Sequence, residues 1–441
     1  MAPAAARPAP ASGRPLSDWL AWQESLHPSE IELGLERCRA VASRLGVLAP
    51  PCTVITVAGT NGKGSTVAML DAAYRSAGYR TGTYTSPHLL RYNERIRLDG
   101  VPVDDATICK AFERVEAARA GTPLTFFEFG TLAALVIFAD AQPALAILEV
   151  GMGGRLDAVN LVDPDVAIIA TLDIDHVEWL GNTREAIARE KAGIMRPARP
   201  VVCSDPEPPE SLLGHARALG AELALLGSGY HFEGSPEGHW TWWSGIEVLP
   251  DLPLPALPGA YQLRNAAGVL KVVSLLQHRH PVSPAQIANA LRSVQLPGRF
   301  QRLDCGVEVI LDVAHNAQAV EAFVSNLQAL PPVPATHVVL GMLKTKDHAS
   351  VMRALAPHVE RWHLATVEAT RGARAEELRA VLETVPAAGA AEIHPSVAAA
   401  FRAARAAVPP GGRVLVVGSF VTVGETLRVL DLGASPTGGV G

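Results

Sequence analysis

Lys63 lies in the run Gly59-Thr60-Asn61-Gly62-Lys63-Gly64-Ser65, one cation among three glycines with a hydroxyl close behind it. Glycines let backbone N–H groups turn inward around an anion, and the lysine adds a full positive charge, so a nucleotide phosphate chain is the natural occupant. The run departs from the common phosphate-loop pattern. Val57 stands where the first glycine belongs, and Gly64 rather than Ser or Thr follows the lysine, although Ser65 and Thr66 come next. A glycine-rich turn carrying a surface lysine is the plain alternative.

Other residues could serve the same chemistry. Glu149 ends the apolar run Ala144–Val150, where an ionised carboxylate is costly without a partner, and a magnesium ion on nucleotide phosphates is a partner that suits it. Ser86 and His88 follow the run Thr81–Thr85, and His176 closes the polar cluster Asp173-Ile174-Asp175-His176. Singly, Ser86 and His88 read as a turn, and His176 reads as an ordinary core or surface histidine. In the second half, Asp312 and His315, with Lys344 or Lys346, fall at strand ends. Cys38, Cys52, Cys109, Cys203 and Cys305 are scattered singly, which argues against a zinc site or a disulfide framework.

Positioning these groups requires strands that end where they stand. Val54–Val57 precede the glycines, and Val67, Met69, Leu70, Ala73 and Tyr74 follow at helical spacing up to Gly78, so the order is strand, tight loop, helix. Short strands are expected at 81–85, 144–150, 166–171 and 201–203. In an open α/β sheet, ligands bind at the C-terminal ends of parallel strands. Two helices are expected between Ser17 and Leu48, a polar helix with a solvated charged face over 183–194, and antiparallel hairpins over 230–249. Trp240, Trp242 and Trp243 in those hairpins are assigned to packing. A proline-rich link then leads from Pro250 to Gly259 and a helix running through Leu276.

At Leu296-Pro297-Gly298-Arg299-Phe300 the pattern breaks and α/β alternation restarts. Strands are expected up to Leu311 and at 337–340, 362–366 and 413–417, with helices near 375–384 and 395–407. The run after Val417 lacks a GxGxxG dinucleotide fingerprint. The expected architecture is α/β: a phosphate-loop domain over 16–296 with a mostly parallel sheet, a smaller Rossmann-like α/β domain over 297–441, and a disordered leader over 1–15. The leader is rich in Ala and Pro and has no apolar core of a signal peptide.

The chain has 441 residues, 48% hydrophobic and 19% charged, with a net charge of −6. Such a balance has no general attraction for nucleic acid or anionic membrane, so any anion site must be local. No apolar run is long enough to span a bilayer. A cytoplasmic monomer with small-molecule partners, and no nucleic acid or membrane, is the expectation.

Taken together, these motifs resemble the folylpolyglutamate synthases of the Mur ligase superfamily, more closely the bacterial bifunctional dihydrofolate synthase/folylpolyglutamate synthases. The resemblance runs from about Trp19 to the last helix. It rests on Gly59–Ser65, Thr85-Ser86-Pro87-His88, Leu148–Gly151 through Asn160, Asp175-His176, Arg189-Glu190-Lys191-Ala192-Gly193, Leu296–Phe300 and Asp312–Asn316. The irregular phosphate loop is that family's own form. The resemblance implies a Mur ligase-like central domain and an ATP-dependent amide ligase. A substrate carboxylate attacks the γ-phosphate, an acyl phosphate forms, and the amine of L-glutamate displaces phosphate.

By the same resemblance, Gly59, Thr60, Asn61, Gly62, Lys63, Gly64 and Ser65 bind ATP phosphates. Asn265, Arg299 and Asp312 complete the ATP site across the domain cleft. Ser86, Glu149 and His176 bind magnesium, with potassium as a further cation. Lys191 aligns with a lysine that is carbamylated in the family, against its plain reading as a solvated helix charge. Asp312 and His315 mark the glutamate side. The dihydropteroate or folate side falls at Glu32, Leu33 and Gly34, at Thr125, Phe126, Phe127 and Glu128, and at Leu156, Asp157 and Ala158. Phe126 and Phe127, read as an aromatic pair in a short loop, suit stacking on a pterin and serve equally as core.

Three rivals stand beside this reading. A folylpolyglutamate synthase without the dihydropteroate reaction shares all the ligase chemistry. A Mur enzyme acting on a muramyl peptide shares the ATP site, but not the folate-type Thr125–Phe129 segment or the amino-terminal helix pair. A nucleotide-binding switch would have the loop and Glu149, yet leaves the second α/β domain unexplained. Phosphate release that requires both a pteroate and glutamate separates ligase from switch.

Overall fold

The computed structural model describes residues 9–431 apart from 28, 30, 236 and 237. Residues 1–8 of the expected leader therefore lie outside the described residues. Of the rest of that stretch, Ala9 packs against the core, the backbone turns at Ala11–Arg14, and Arg14 pairs with Asp18. Two compact units emerge. The first holds the chain up to Pro87, Tyr92–Ala256 and Leu263–Val294. The second holds His88–Arg91, Leu257–Gln262 and the chain from Gln295. Two short segments ahead of residue 297 thus belong to the second unit.

The first unit is built on eight strands: β1 Thr53–Ala58, β2 Thr81–Tyr84, β3 Ile96–Leu98, β4 Val101–Pro102, β5 Leu145–Glu149, β6 Val166–Ile169, β7 Pro200–Cys203 and β8 Glu222–Leu225. Their order is β4-β3-β2-β5-β1-β6-β7-β8, with β2 through β8 parallel and β3 and β4 antiparallel at one edge. All residues of β1, β5 and β6 are buried, which is why they read as unbroken apolar runs. The register sets Val57 beside Glu149 and Ile168, so the C-terminal ends of the three central strands coincide. The chain leaves β1 toward β2 on one side while β6 lies on the other, the kind of switch point at which open α/β sheets bind ligands.

Helices cover this sheet. Lys63–Ser76 follows β1 directly, and Leu16–Gln23 and Glu36–Leu45 form the expected amino-terminal pair. Asp105–Arg119 and Phe126–Ala141, unassigned from sequence, pack on each other. Phe126 and Phe127 therefore open a helix and do not sit in a short loop. A capping box is the reason: Thr125 Oγ1 accepts from the Glu128 N–H at 3.2 Å, and Glu128 Oε2 accepts from the Thr125 N–H at 2.8 Å. The expected hairpins are the antiparallel sheet β9 His231–Gly234, β10 His239–Ser244 and β11 Glu247–Pro253, in which Trp240 and Trp242 are buried.

The second unit holds β12 Gln301–Asp304, β13 Glu308–Leu311, β14 Thr336–Leu340, β15 Arg361–Ala365, β16 Ala390–His394 and β17 Arg413–Val417, in the order β12-β13-β17-β14-β15-β16. Only β12 runs antiparallel. Two apolar clusters, around Trp362 on one face and Phe401 on the other, sandwich the sheet between helices. β12 and β16 were not expected. Both are edge strands with mixed exposure and lack the apolar run that marks a central strand.

Candidate active site

The phosphate loop is shaped by contacts that only glycine permits. Gly59 and Gly62 have φ of +152° and +86°. A Cβ on Gly59 would stand 2.8 Å from the Ala170 Cβ, and one on Gly62 would stand 2.6 Å from Asn265 Oδ1. Asn265, on the helix Ala260–Leu276, is thereby placed against the loop in the first unit. Lys63 opens its helix, and its Nζ donates to the carbonyls of Gly59 at 3.0 Å and Thr60 at 3.2 Å. Ser65 and Thr66, in the first turn, are buried.

The loop is tied to the segment after β6. The Thr60 N–H donates to the Thr171 carbonyl at 2.8 Å, and the Thr60 hydroxyl donates to the Asp173 carbonyl at 2.9 Å while accepting from the Asp173 N–H at 3.0 Å. Thr171 Oγ1 returns a bond to the Asn61 carbonyl at 3.2 Å. Asp205 anchors the same segment, taking the Leu172 N–H at 2.7 Å and Arg184 at 3.0 Å. No sequence motif pointed to this brace.

Lys191 is buried, contrary to a solvated helix face, and its Nζ donates to the Gly59 carbonyl at 2.8 Å. Burial, with the neighbouring Lys63 charge, lowers its amine from the usual 10.5 to about 7, against the pull of Asp175 and Asp157. Asp157 is buried as well, and burial raises its carboxyl to about 6 despite backbone N–H donors at Met152 and Val159, each at 2.9 Å.

Of the residues expected at the metal, Glu149 is buried at the end of β5, and Oε2 accepts the Ser86 N–H at 3.2 Å. Ser86 precedes a cis bond to Pro87. His176 caps the short helix Val177–Leu180 in a left-handed conformation, with its imidazole partly exposed and 3.9 Å from Asp175. Buried oxygen donors beside a lysine-bearing phosphate loop fit a hard divalent cation accompanying nucleotide. His88 falls in the second unit.

The three segments expected on the pteroate side are packed together. Arg37 bonds Glu32 and reaches Glu128 at 3.0 Å, joining residues 91 positions apart in a contact no local pattern announces. The Phe127 ring lies on Gly151, where a Cβ would come within 2.6 Å of it, and 5.9 Å from the Tyr84 ring. Arg95 lies over both Phe126 and Tyr92. Asp157 caps the turn Ala158–Leu161. Leu33, Gly34 and Leu156 belong to the connecting loops.

In the second unit, the Asp312 carboxylate is buried and accepts the N–H groups of Phe300 at 2.7 Å and Ala314 at 2.8 Å. Burial raises its carboxyl, opposed by Arg299, whose guanidinium stacks 5.1 Å from the centre of the Phe420 ring. His315 Nδ1 lies 2.8 Å from the Val313 carbonyl, and Asn316 caps the helix Ala317–Gln328. Lys344 pairs with Glu377 at 3.8 Å.

Residues 57–207 match the Mur ligase middle domain, and residues 298–420 match the Mur ligase glutamate ligase domain. The chain is 42% identical over 422 residues to the dihydrofolate synthase/folylpolyglutamate synthase of Escherichia coli K12, covering 96% of this chain and 97% of that one. It is similar to the structure of E. coli FolC in complex with DHPP and ADP, with a TM-score of 0.91, 41% identity and coverage of 97% and 100%. It is likewise similar to a bifunctional folylpolyglutamate synthase/dihydrofolate synthase with Mn, AMPPNP and L-glutamate bound, with a TM-score of 0.88, 41% identity and coverage of 96% and 100%. No described helix is long and apolar enough to cross a membrane. The chain belongs to the dihydrofolate synthase/folylpolyglutamate synthase family, ATP-dependent ligases of the Mur type that attach glutamate in folate metabolism.

Proposed function

We propose that this enzyme joins L-glutamate to dihydropteroate and extends reduced folates at one ATP-driven centre, with the roles of its residues set by where they stand. The observation that carries the assignment is the convergence of Lys63 and Lys191 on the Gly59 carbonyl at the end of β1. The glycine loop holds the ATP phosphates with backbone N–H groups, and Lys63 swings from its loop carbonyls to the phosphates when nucleotide arrives. Phosphoryl transfer to the pteroate or folate carboxylate needs alignment and charge neutralisation more than covalent help from the protein. Asn265 fixes the loop from behind Gly62.

Glu149, Ser86 and His176 are the residues that would hold magnesium, which supplies charge neutralisation on the phosphates when bound. Arg299 serves the nucleotide, and Asp312 and His315 the incoming glutamate; Asp312 also keeps the turn Gly298–Phe300 in shape through the Phe300 N–H. The five cysteines are unpaired, which suits a reducing cytoplasm. Purified protein supplied with ATP, glutamate and either dihydropteroate or tetrahydrofolate should release phosphate with both acceptors. No glutamate-dependent release with dihydropteroate, in protein active on tetrahydrofolate, leaves a folylpolyglutamate synthase alone.

Glu149→Gln and His176→Ala should each raise the magnesium concentration that gives half-maximal activity by about tenfold or more, since each removes a direct ligand. An unchanged magnesium titration in both variants removes that assignment. Phe127→Ala should lower kcat/KM for dihydropteroate more than for tetrahydrofolate, because dihydropteroate presents its benzoate carboxylate directly and its pterin must rest against the 125–128 segment. The ring also packs on Gly151, so the ratio between substrates, not the absolute rate, is the measurement. Equal losses on both substrates make Phe127 a packing residue.

A further inference from the structure

Three histidines stand in a row across the second unit's sheet, and none of them has a role in the ligase site proposed above. His337 on β14, His363 on β15 and His394 on β16 stack ring on ring, with centroids 5.4 Å and 5.3 Å apart. The register explains the row. Val339 lies beside His363 and Ala365 beside His394, so alternation puts the three imidazoles diagonally on one face. That face also carries the apolar Val339 and Ala365, packed with Val397 and Phe401, and the charged pair Arg361 and Glu392 toward the sheet edge. His363 is fully buried and His337 nearly so. Imidazoles on such a face are costly unless their nitrogens are used.

From this geometry we infer that His363, Glu392 and His394 form a binding site for a divalent transition-metal ion of the zinc type, with His337 orienting His363. His363 Nδ1 and His394 Nε2 are 3.2 Å apart. Two nitrogens bound to one tetrahedral zinc at about 2.0–2.1 Å stand about 3.3 Å from each other. The pair is thus already spaced as one edge of that tetrahedron. Glu392, on the same face of β16, brings a carboxylate oxygen 4.0 Å from His394 Nε2, and the three ligand atoms lie within 4.8 Å of one another. Its side chain is half exposed and paired with Arg361 at 3.3 Å, so a small rotation closes the site and leaves a fourth position for water.

On the far side, His363 Nε2 lies 3.3 Å from His337 Nδ1. A metal-bound imidazole ordinarily passes its second N–H to a neighbour, which fixes the ring and the tautomer, and His337 is that neighbour. Burial lowers all three imidazoles, His363 to about 4, so they are neutral near pH 7 and binding displaces no proton from them. Two imidazoles and a carboxylate favour zinc, cobalt or nickel over magnesium or calcium, so this site and the nucleotide-linked one select different ions.

The test is titration of tag-free, metal-stripped full-length protein with Co2+ in excess Mg2+, followed by visible absorption and then displaced by Zn2+. One equivalent of cobalt should give the intense bands of tetrahedral coordination, and the same bands should appear in Glu149→Gln, which lacks the proposed magnesium ligand. His394→Gln and Glu392→Gln should weaken zinc binding at least about tenfold while leaving circular dichroism unchanged. Glu392 is partly exposed, so its variant keeps the fold available for measurement even where a histidine variant does not. A wild-type protein without the saturable tetrahedral spectrum, or a spectrum unaffected by Glu392→Gln and His394→Gln, overturns the site and leaves the row as a hydrogen-bonded imidazole stack.

Discussion

Lys63→Ala is expected to cut ligation about a hundredfold to a thousandfold while the protein still folds. The side chain is not a packing element: it heads its helix and spends its ammonium on two loop carbonyls, Gly59 and Thr60. In the role proposed for it, the same ammonium would be the protein's principal cation facing charge that develops on the transferred phosphoryl group once ATP is bound. Removing one preorganised donor of that kind costs about 3–4 kcal/mol of transition-state stabilisation. The loss should fall mainly on kcat, since charge builds up in the transition state more than in bound ATP. Steady-state kinetics beside thermal unfolding make the check. A folded Lys63→Ala protein with near-normal turnover takes the phosphate role away from this lysine.

Lys191→Ala is expected to lose most activity, on the order of a hundredfold, and short carboxylates added to the buffer should restore part of it. Its amine, lowered to about 7 by burial and by Lys63, is substantially neutral at physiological pH, and only a neutral amine adds carbon dioxide to become a carbamate. That conversion replaces a cation with an anion able to hold metal. The ammonium now donates to the Gly59 carbonyl, so the carbamate must turn away from that oxygen. Activity should fall in buffers stripped of carbon dioxide and return with bicarbonate. An intact mass without the carboxylate increment, together with bicarbonate-independent activity, counts against the modification.

The unmodified lysine also leaves a mark on stability. Burial lowers its folded amine to about 7 from the usual 10.5 of the unfolded chain, so between these values the unfolded chain binds more protons and stability rises with pH. Below about pH 7 both states are protonated and the penalty of the buried ammonium is present in full. Lys191→Met should flatten the rise in denaturant midpoint between pH 7 and 10. A wild-type slope retained in Lys191→Met assigns it to other groups.

Local sequence determined a good deal of this protein. A β-branched strand, a glycine run and a periodic helix make the phosphate loop wherever the chain goes, because each depends on neighbours within a few residues. The same holds for Glu149 closing an apolar strand, for the Thr125/Glu128 capping box written in four consecutive positions, and for the restart of alternation after Phe300. Tertiary structure decided the rest. Lys191 reads as one more charge on a polar helix, and its burial exists only because the helix Arg184–Ala192 is carried against Gly59, 132 residues away. Arg37, bonded to Glu32, reaches Glu128 across 91 positions. His337, His363 and His394 fall on three strands whose register no single strand encodes. Short-range patterns specify conformation, whereas perturbed titration and ligand clusters arise where distant segments exclude water together.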